Sequence, residues 1–368
     1  MRDELIANDW DIVKRMLPGD WALSARQCGA LRRTRKVDSP ETLLRLILLH
    51  VAGGLSLRQT VARAEAFGWA SLSDVALLKR LRASANWLES LCWGLWSRWD
   101  WPAGLDTGGR RWRIVDATTA QEPGATGIDW RVHYVVGLPS LVCEFVSVTS
   151  VRGGETLCRI PVRAGDVLLA DRGYSHRAGV AWVRAQGGDV IVRHQGANFP
   201  LLDREGRDFE LLRALRGLHA HQPGTWAVQF EAEGRTWAVW LHAVRKSAAA
   251  AAQAQEELRQ ERGASLQPQT LELAEYVVVL TSLPPSEVSA LQVLSLYRGR
   301  WQIELVFKRL KSLLGVGELA KYDSDSAKAW LQAKLLTALL IERLEREAFF
   351  FSPWGYPLLE PVQVAGVS

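Results

Sequence analysis

The stretch Asp166-Val167-Leu168-Leu169-Ala170-Asp171-Arg172-Gly173-Tyr174 decides how this chain is read. A short apolar run bounded by turn residues has the character of a strand buried on both faces, and such strands lie at the centre of α/β sheets. Downstream, residues 176–186 read as a helix and Val190-Ile191-Val192 as the next strand. Upstream, Trp112-Arg113-Ile114-Val115-Asp116 reads as a strand ending at Asp116. Residues 132–136 and 141–148 read as two more, joined through the turn Gly137-Leu138-Pro139-Ser140. Three strands of hairpin character, then strand, helix, strand, make an α/β layer with a mixed sheet.

The flanks differ from this middle. Residues 1–105 read as helical, with the stripe Leu43, Leu44, Leu46, Ile47, Leu48, Val51, a second helix capped by Ser56 and a third starting at 71–73. Short helices joined by glycine-containing turns suit a helix-turn-helix-like bundle that contacts DNA or simply packs. The basic residues Arg32, Arg33, Arg35 and Lys36 precede it. Residues 102–109 read as a linker, 110–200 as the first part of the α/β core, and 201–274 as a β-rich insertion. In the insertion, residues 225–231 and 235–244 form a hairpin, and 247–263 an exposed helix. A strand at 276–280 returns to the core, whose second part spans 275–345; a helix begins at Ser286, and 346–368 read as an irregular tail.

Composition narrows the function. The chain has 368 residues and a net charge of +5, compatible with a polyanionic partner. Nine lysines stand against thirty-six arginines, and five of the nine (Lys308, Lys311, Lys321, Lys328, Lys334) fall within twenty-seven residues. Many of the seventeen tryptophans adjoin arginines, a pattern that suits core packing beneath a solvated cation, or stacking on nucleic acid. No apolar run is long enough to span a membrane, and the acidic start is unlike a signal peptide, so the expected location is the cytoplasm, with no membrane partner. Cys28, Cys92, Cys143 and Cys158 form no metal or dithiol pattern and are expected to be buried apolar residues.

Tyr297, Arg300, Glu304, Lys308 and Lys311, placed on one helix, fall within a wedge of about 80°. Ile303, Val306, Phe307, Leu310, Leu313 and Leu314 occupy the apolar arc of the same wheel. Such a stripe is either a solvated face with i,i+4 ion pairs or a ligand-binding edge. Asp116 and Asp171 each close an apolar strand, where open α/β sheets place their ligands. Two aspartates and a glutamate that converged would suit Mg²⁺, and two such ions can clamp an in-line phosphoryl displacement.

The spacing Tyr297, two residues, Arg300, three residues, Glu304, six residues, Lys311 resembles the signature of the insertion-sequence-four family of DDE transposases. Asp116 in Val-Asp-Ala-Thr and Asp171 in Ala-Asp-Arg-Gly-Tyr resemble its two aspartate motifs, 55 residues apart and 133 residues before Glu304. The resemblance covers roughly residues 110–315. It implies an RNase H-like mixed sheet with flanking helices and a β-rich insertion before the catalytic Glu helix; the N-terminal helical domain carries no matching motif, and its binding of the transposon ends is an expectation. It implies that Asp116, Asp171 and Glu304 are catalytic and hold two Mg²⁺ ions, with Mn²⁺ substituting. Tyr297, Arg300 and Lys311 would contact DNA; Lys308 shares their stripe, and Arg193 resembles a basic position of relatives. The implied reaction is metal-dependent cleavage at the element's inverted-repeat ends and strand transfer into target DNA by a homodimer assembled on DNA. If a DNA hairpin forms, Trp226, Trp237 and Trp240 are candidates to stack a flipped base, against their plainer reading as strand-core residues. The competing readings are another RNase H-like nuclease, a catalytically inert transposase-derived DNA-binding protein, and a sugar hydrolase using an acid pair.

Overall fold

A computed structural model describes residues 10–32, 34, 36–97, 109–124, 129–194, 196–219, 222–262, 266–319 and 323–349. Its centre is one eight-stranded sheet in the order β3-β2-β1-β4-β5-β8-β7-β6. The strands are β1 Arg111–Ala120, β2 Trp130–Gly137, β3 Cys143–Ser150, β4 Asp166–Ala170, β5 Asp189–Arg193, β6 Gly224–Ala232, β7 Arg235–Arg245 and β8 Tyr276–Thr281. The ladders β1–β4 and β4–β5 are parallel and the rest antiparallel. The five strands β3-β2-β1-β4-β5 have the mixed order expected of an RNase H-like core. Every residue of β4 is buried, so both faces of the sheet are covered there.

The insertion does not stand apart from this sheet. Its hairpin β6–β7 pairs with β8, and β8 pairs with β5, which carries the core sheet outward by three strands. Trp226, Trp237 and Trp240 sit on this extension, all partly buried; Trp226 lies beside Phe209 and Arg204 lies over the Trp240 ring.

The N-terminal helices are α1 (residues 10–16), α2 Trp21–Gln27, α3 Pro40–Val51, α4 Leu57–Ala66, α5 Asp74–Ala83 and α6 Ala85–Ser97. Ser39, Ser56 and Ser73 cap three of them by accepting from backbone N–H groups. Downstream come α7 Arg177–Ala185, α8 Leu211–Arg216, α9 Ala248–Arg262, α10 Pro268–Leu273, α11 Ala290–Gly299, α12 Gln302–Leu314 and α13 Ser324–Phe349. The helix α13 packs against α3, α5, α6 and β3, so the N-terminal bundle is built around the chain's last described helix. Arg82 fixes this junction with a bidentate pair to Asp323 (3.1 and 2.9 Å), and Lys328 binds Glu89 at 2.9 Å.

Several boundaries correct the sequence reading. The strand β1 continues four residues beyond Asp116, because Ala117–Ala120 pair with the start of β2. The helix expected at Ser286 begins at Ala290: Ser289 and Gln292 form a capping box, while Glu287 pairs with Arg110. Leu313 is 78% exposed, since α12 ends one residue later at the left-handed Gly315 and its last turn extends past the core. Cys92 and Cys143 are buried as expected, but Cys28 is only partly buried and Cys158 is exposed on a short 3₁₀ turn. The helix α13 runs through Phe349, into the stretch read as an irregular tail; residues 350–368, the linker residues 102–108, and Arg33 and Arg35 lie outside the described residues. Among the described residues, no helix is long and apolar enough to cross a membrane.

A buried charge network holds the start of β1 to β4. Arg113, 2% exposed, binds Glu144 at 2.6 Å and Asp166 at 3.1 Å and donates to the Pro161 carbonyl. Arg111 adds a bidentate pair to the same Asp166, 2.7 and 2.8 Å. Removing one partner from such a set leaves a buried charge uncompensated. Arg113→Ala should therefore lower unfolding stability by about 3–5 kcal/mol in urea denaturation. A loss below about 1 kcal/mol, the scale of an exposed pair, would contradict a structural role for the network.

Candidate active site

The register of the parallel ladder builds the site. Arg111 lies opposite Asp166 and Val115 opposite Ala170, so the next residues on the two strands are Asp116 and Asp171. The aspartates come from neighbouring strands at one level of the sheet. The Ala117 N–H donates to Asp116 Oδ1 at 2.8 Å. Asp171 caps the turn Arg172–Tyr174, and the Gly173 N–H donates to its Oδ1 at 2.9 Å. Each carboxylate thus has one oxygen fixed by backbone.

Arg300 supplies the nearest positive charge. Its Nη1 donates to Asp116 Oδ2 at 2.8 Å, and its Nη2 stands 3.6 Å from Glu304 Oε1. Tyr297 and Asp171 also act on it electrostatically. The guanidinium therefore lies between Asp116 and Glu304. Glu304 is 64% exposed, on the outer side of that pair. Among the described residues, no three carboxylates, histidines or cysteines are grouped tightly enough to hold a metal ion as they stand. The structure brings Asp116 and Asp171 together and links Glu304 to them through Arg300.

The stripe is not carried by one continuous helix. The helices α11 and α12 are separated at Arg300-Trp301, where tighter i→i−3 bonds run from Arg300 N to Tyr297 O (3.1 Å) and from Glu304 N to Trp301 O (2.9 Å). Tyr297 lies on α11, Arg300 at the joint, and Glu304, Lys308 and Lys311 on α12. Within α12 the expected two faces are present: Ile303, Val306, Phe307 and Leu310 are buried, while Glu304, Lys308 and Lys311 are exposed. The apolar face packs on β1 and α13, and the Phe307 ring meets Tyr134 edge-on at 6.2 Å.

Basic groups gather on the other side of the aspartates. Arg193 ends β5 and acts, with Arg300, on the half-buried Tyr297 phenol, whose pKa burial raises. Lys246 follows β7; burial holds its ammonium below the usual lysine range, and Arg193 and Arg172 lower it further. Sequence reading missed Arg172 and Lys246 because β4, β5 and β7 come together only through the sheet order. It also missed Glu155, a fourth acid close to Asp171.

Asp116 shows what the acids lack. Its side chain is 16% exposed and its carboxyl is pushed up to about 6. Burial is the largest cause; the Ala117 N–H and Arg300 oppose it, and Asp171 and Glu155 add to it. One guanidinium does not offset burial beside other acids. Hard oxygen donors short of positive charge suit a divalent cation.

A family model described as the transposase DDE domain matches residues 108–340. The putative transposase InsL of insertion sequence element IS186A from Escherichia coli (strain K12) is 38% identical over 347 residues, 91% of this chain and 93% of its own. The transposase of insertion sequence element IS421 from Escherichia coli is 38% identical over 348 residues, with the same coverage. The piggyBac transposase synaptic complex with hairpin DNA aligns over 96% of this chain and 84% of its own, at 10% identity and a TM-score of 0.41. The chain belongs to the DDE transposase family, as its Tyr-Arg-Glu-Lys signature implied. It is a DNA transposase of the insertion-sequence kind, an enzyme that cuts nucleic acid, and family membership implies dependence on a divalent metal.

A carboxyl whose folded pKa exceeds its unfolded value of 3.8 binds its proton more tightly in the folded state. Stability is then lost as pH rises through the window from about 4 to about 6 and is level above it. Without metal or DNA, Asp116→Asn should leave melting unchanged near pH 4 and stabilise the fold above pH 6, by up to about 3 kcal/mol. Calorimetry across that range checks it; destabilisation of the variant at pH 8 would show that Arg300 outweighs burial.

Proposed function

We propose that the protein cuts DNA at the inverted-repeat ends of its element and joins the freed 3′-hydroxyl to target DNA, with Asp116, Asp171 and Glu304 holding two Mg²⁺ ions. The observation that carries this reading is the pair of carboxylates at one level of β1 and β4, with Asp116 joined through Arg300 to Glu304. When bound, the ions would stabilise the attacking and leaving oxygens of an in-line displacement, and Mn²⁺ would substitute. Asp116 and Asp171 hold their positions through the Ala117 and Gly173 N–H bonds. Arg300 exchanges Asp116 for a DNA phosphate, a planar bidentate partner that suits guanidinium, and that movement lets Glu304 approach.

Arg193 and Tyr297, with Arg172 and Lys246 beside them, form a polar and basic flank for the DNA backbone. Lys308 and Lys311 extend that flank along the exposed face of α12. The N-terminal helical domain, residues 1–105, reads the terminal repeats, and two copies of the chain assemble on DNA because two ends must be joined. A protein acting on DNA in this way would work in the cytoplasm of a bacterial cell.

Incubating the protein with supercoiled DNA bearing the element's ends and Mg²⁺ should give cuts at those ends. Asp171→Asn should reduce the rate by at least about 10²–10³-fold, the scale on which loss of one charge-stabilising group acts. Tight binding without cleavage by the unaltered protein would instead identify an inert DNA-binding relative. Lys311→Ala should weaken end binding and reduce the slope of log K against log salt by about 1, with little change in melting temperature. A large fall in melting temperature with an unchanged salt slope would make Lys311 a structural residue.

A further inference from the structure

Glu155 lies outside every motif read from the sequence, in the segment between β3 and the 3₁₀ turn Leu157–Arg159. Its carboxylate rests on the turn that carries Asp171. A Cβ built on Gly173 would meet Glu155 Oε2 at 1.8 Å and Asp171 Oδ1 at 3.2 Å, so the Glu155 oxygen fills the place a Cβ would take, with the Asp171 oxygen beside it. Only a residue without a side chain admits the Glu155 carboxylate here.

The groups acting on Glu155 do not match its charge well. Arg131 Nε stands 3.6 Å from Glu155 Oε1, too far for a hydrogen bond, and His176 adds a weaker attraction. Against these stand Asp171 and, beyond it, Asp116. A second observation comes from Tyr174. It is fully buried, and its hydroxyl has no hydrogen-bond partner among the described residues. The charges acting on that phenol are Glu155, Asp116, Asp171 and Arg159. A buried donor left unsatisfied among three carboxylates needs a polar partner from outside the protein.

We infer that Glu155 is a further ligand of the divalent cation at this site, sharing one ion with Asp171, with the Tyr174 hydroxyl hydrogen-bonded into that ion's hydration shell. Two carboxylates with several retained waters is the usual protein share of a Mg²⁺ site. Arg300 holds both Asp116 and Glu304, so Glu155 is the acid beside Asp171 that the guanidinium does not hold. The inference rests on the proposed role of Asp171 as an ion ligand.

The test is Mn²⁺ binding to the full-length, DNA-free protein, with free Mn²⁺ read by electron paramagnetic resonance. Glu155→Gln should bind at least about tenfold more weakly than the unaltered chain, the scale of removing one supporting group from a metal site. Asp171→Asn should lose the ion. Arg131→Gln should bind as tightly or more tightly, because it removes a competing cation. If Glu155 served only as the ion-pair partner of Arg131, Arg131→Gln and Glu155→Gln would change Mn²⁺ affinity alike, and the inference fails. Should Glu155→Gln not fold, Gly173→Ala keeps every carboxylate and displaces Glu155, and it should weaken binding on the same scale.

Undiminished affinity in folded Glu155→Gln, with the ion lost in Asp171→Asn, overturns the inference and leaves the proposed reaction standing. No uptake by the unaltered chain overturns the inference alone; an ion retained in Asp171→Asn overturns the inference together with the assignment on which it rests.

Discussion

Two half-buried carboxylates held abreast, Asp116 and Asp171, are the constraint on which the site depends. They meet because β1 and β4 run parallel with Val115 opposite Ala170. Like charges side by side in a half-buried place raise the cost of ionisation. The surrounding structure answers that cost in part: one backbone N–H for each carboxylate, and Arg300 for Asp116. The deficit that remains at Asp116 is the property that a divalent ion would meet.

The same two strands are fixed at their opposite ends. Asp166 opens β4 and takes bonds from Arg111 and Arg113, both on β1. A buried ionic group seldom adds net stability over a well-packed apolar one, but it can set register. A shift by one residue would break the Arg111–Asp166 pairing and turn Asp116 to the other face of the sheet. The charge network at the base of the strands and the acidic pair at their tips are thus two consequences of one register. The insertion has a related role: by adding β7 and β6 beyond β8, which pairs with β5, it brings Lys246 near Arg193 and Arg172.

Much of this was legible in the sequence where the signal was local. Alternation and apolar runs located the core strands, serines marked helix starts at Ser56 and Ser73, and the spacing around Glu304 pointed to the family. Features that depend on partners were not legible. The strand β1 outruns its apolar run because β2 pairs with Ala117–Ala120, which composition does not reveal. A helical wheel assumes a constant turn, so the joint at Arg300-Trp301 was invisible, as was the placing of Arg300 between two acids. Glu155 had no spacing to recommend it; its nearness to Asp171 comes from a loop folding over Gly173.

In the proposed reaction, Asp116, Asp171 and Glu304 gather around divalent ions when DNA is bound. Iron(II) placed in those sites with ascorbate and peroxide cuts the polypeptide beside its ligands, so the cut positions report which residues surround the metal. Cuts are expected near residues 116, 171 and 304 in the complex with the element's ends, suppressed by excess Mg²⁺. Cuts near 116 and 171 with none near 304, in a complex that still cleaves DNA, would remove Glu304 from the metal site.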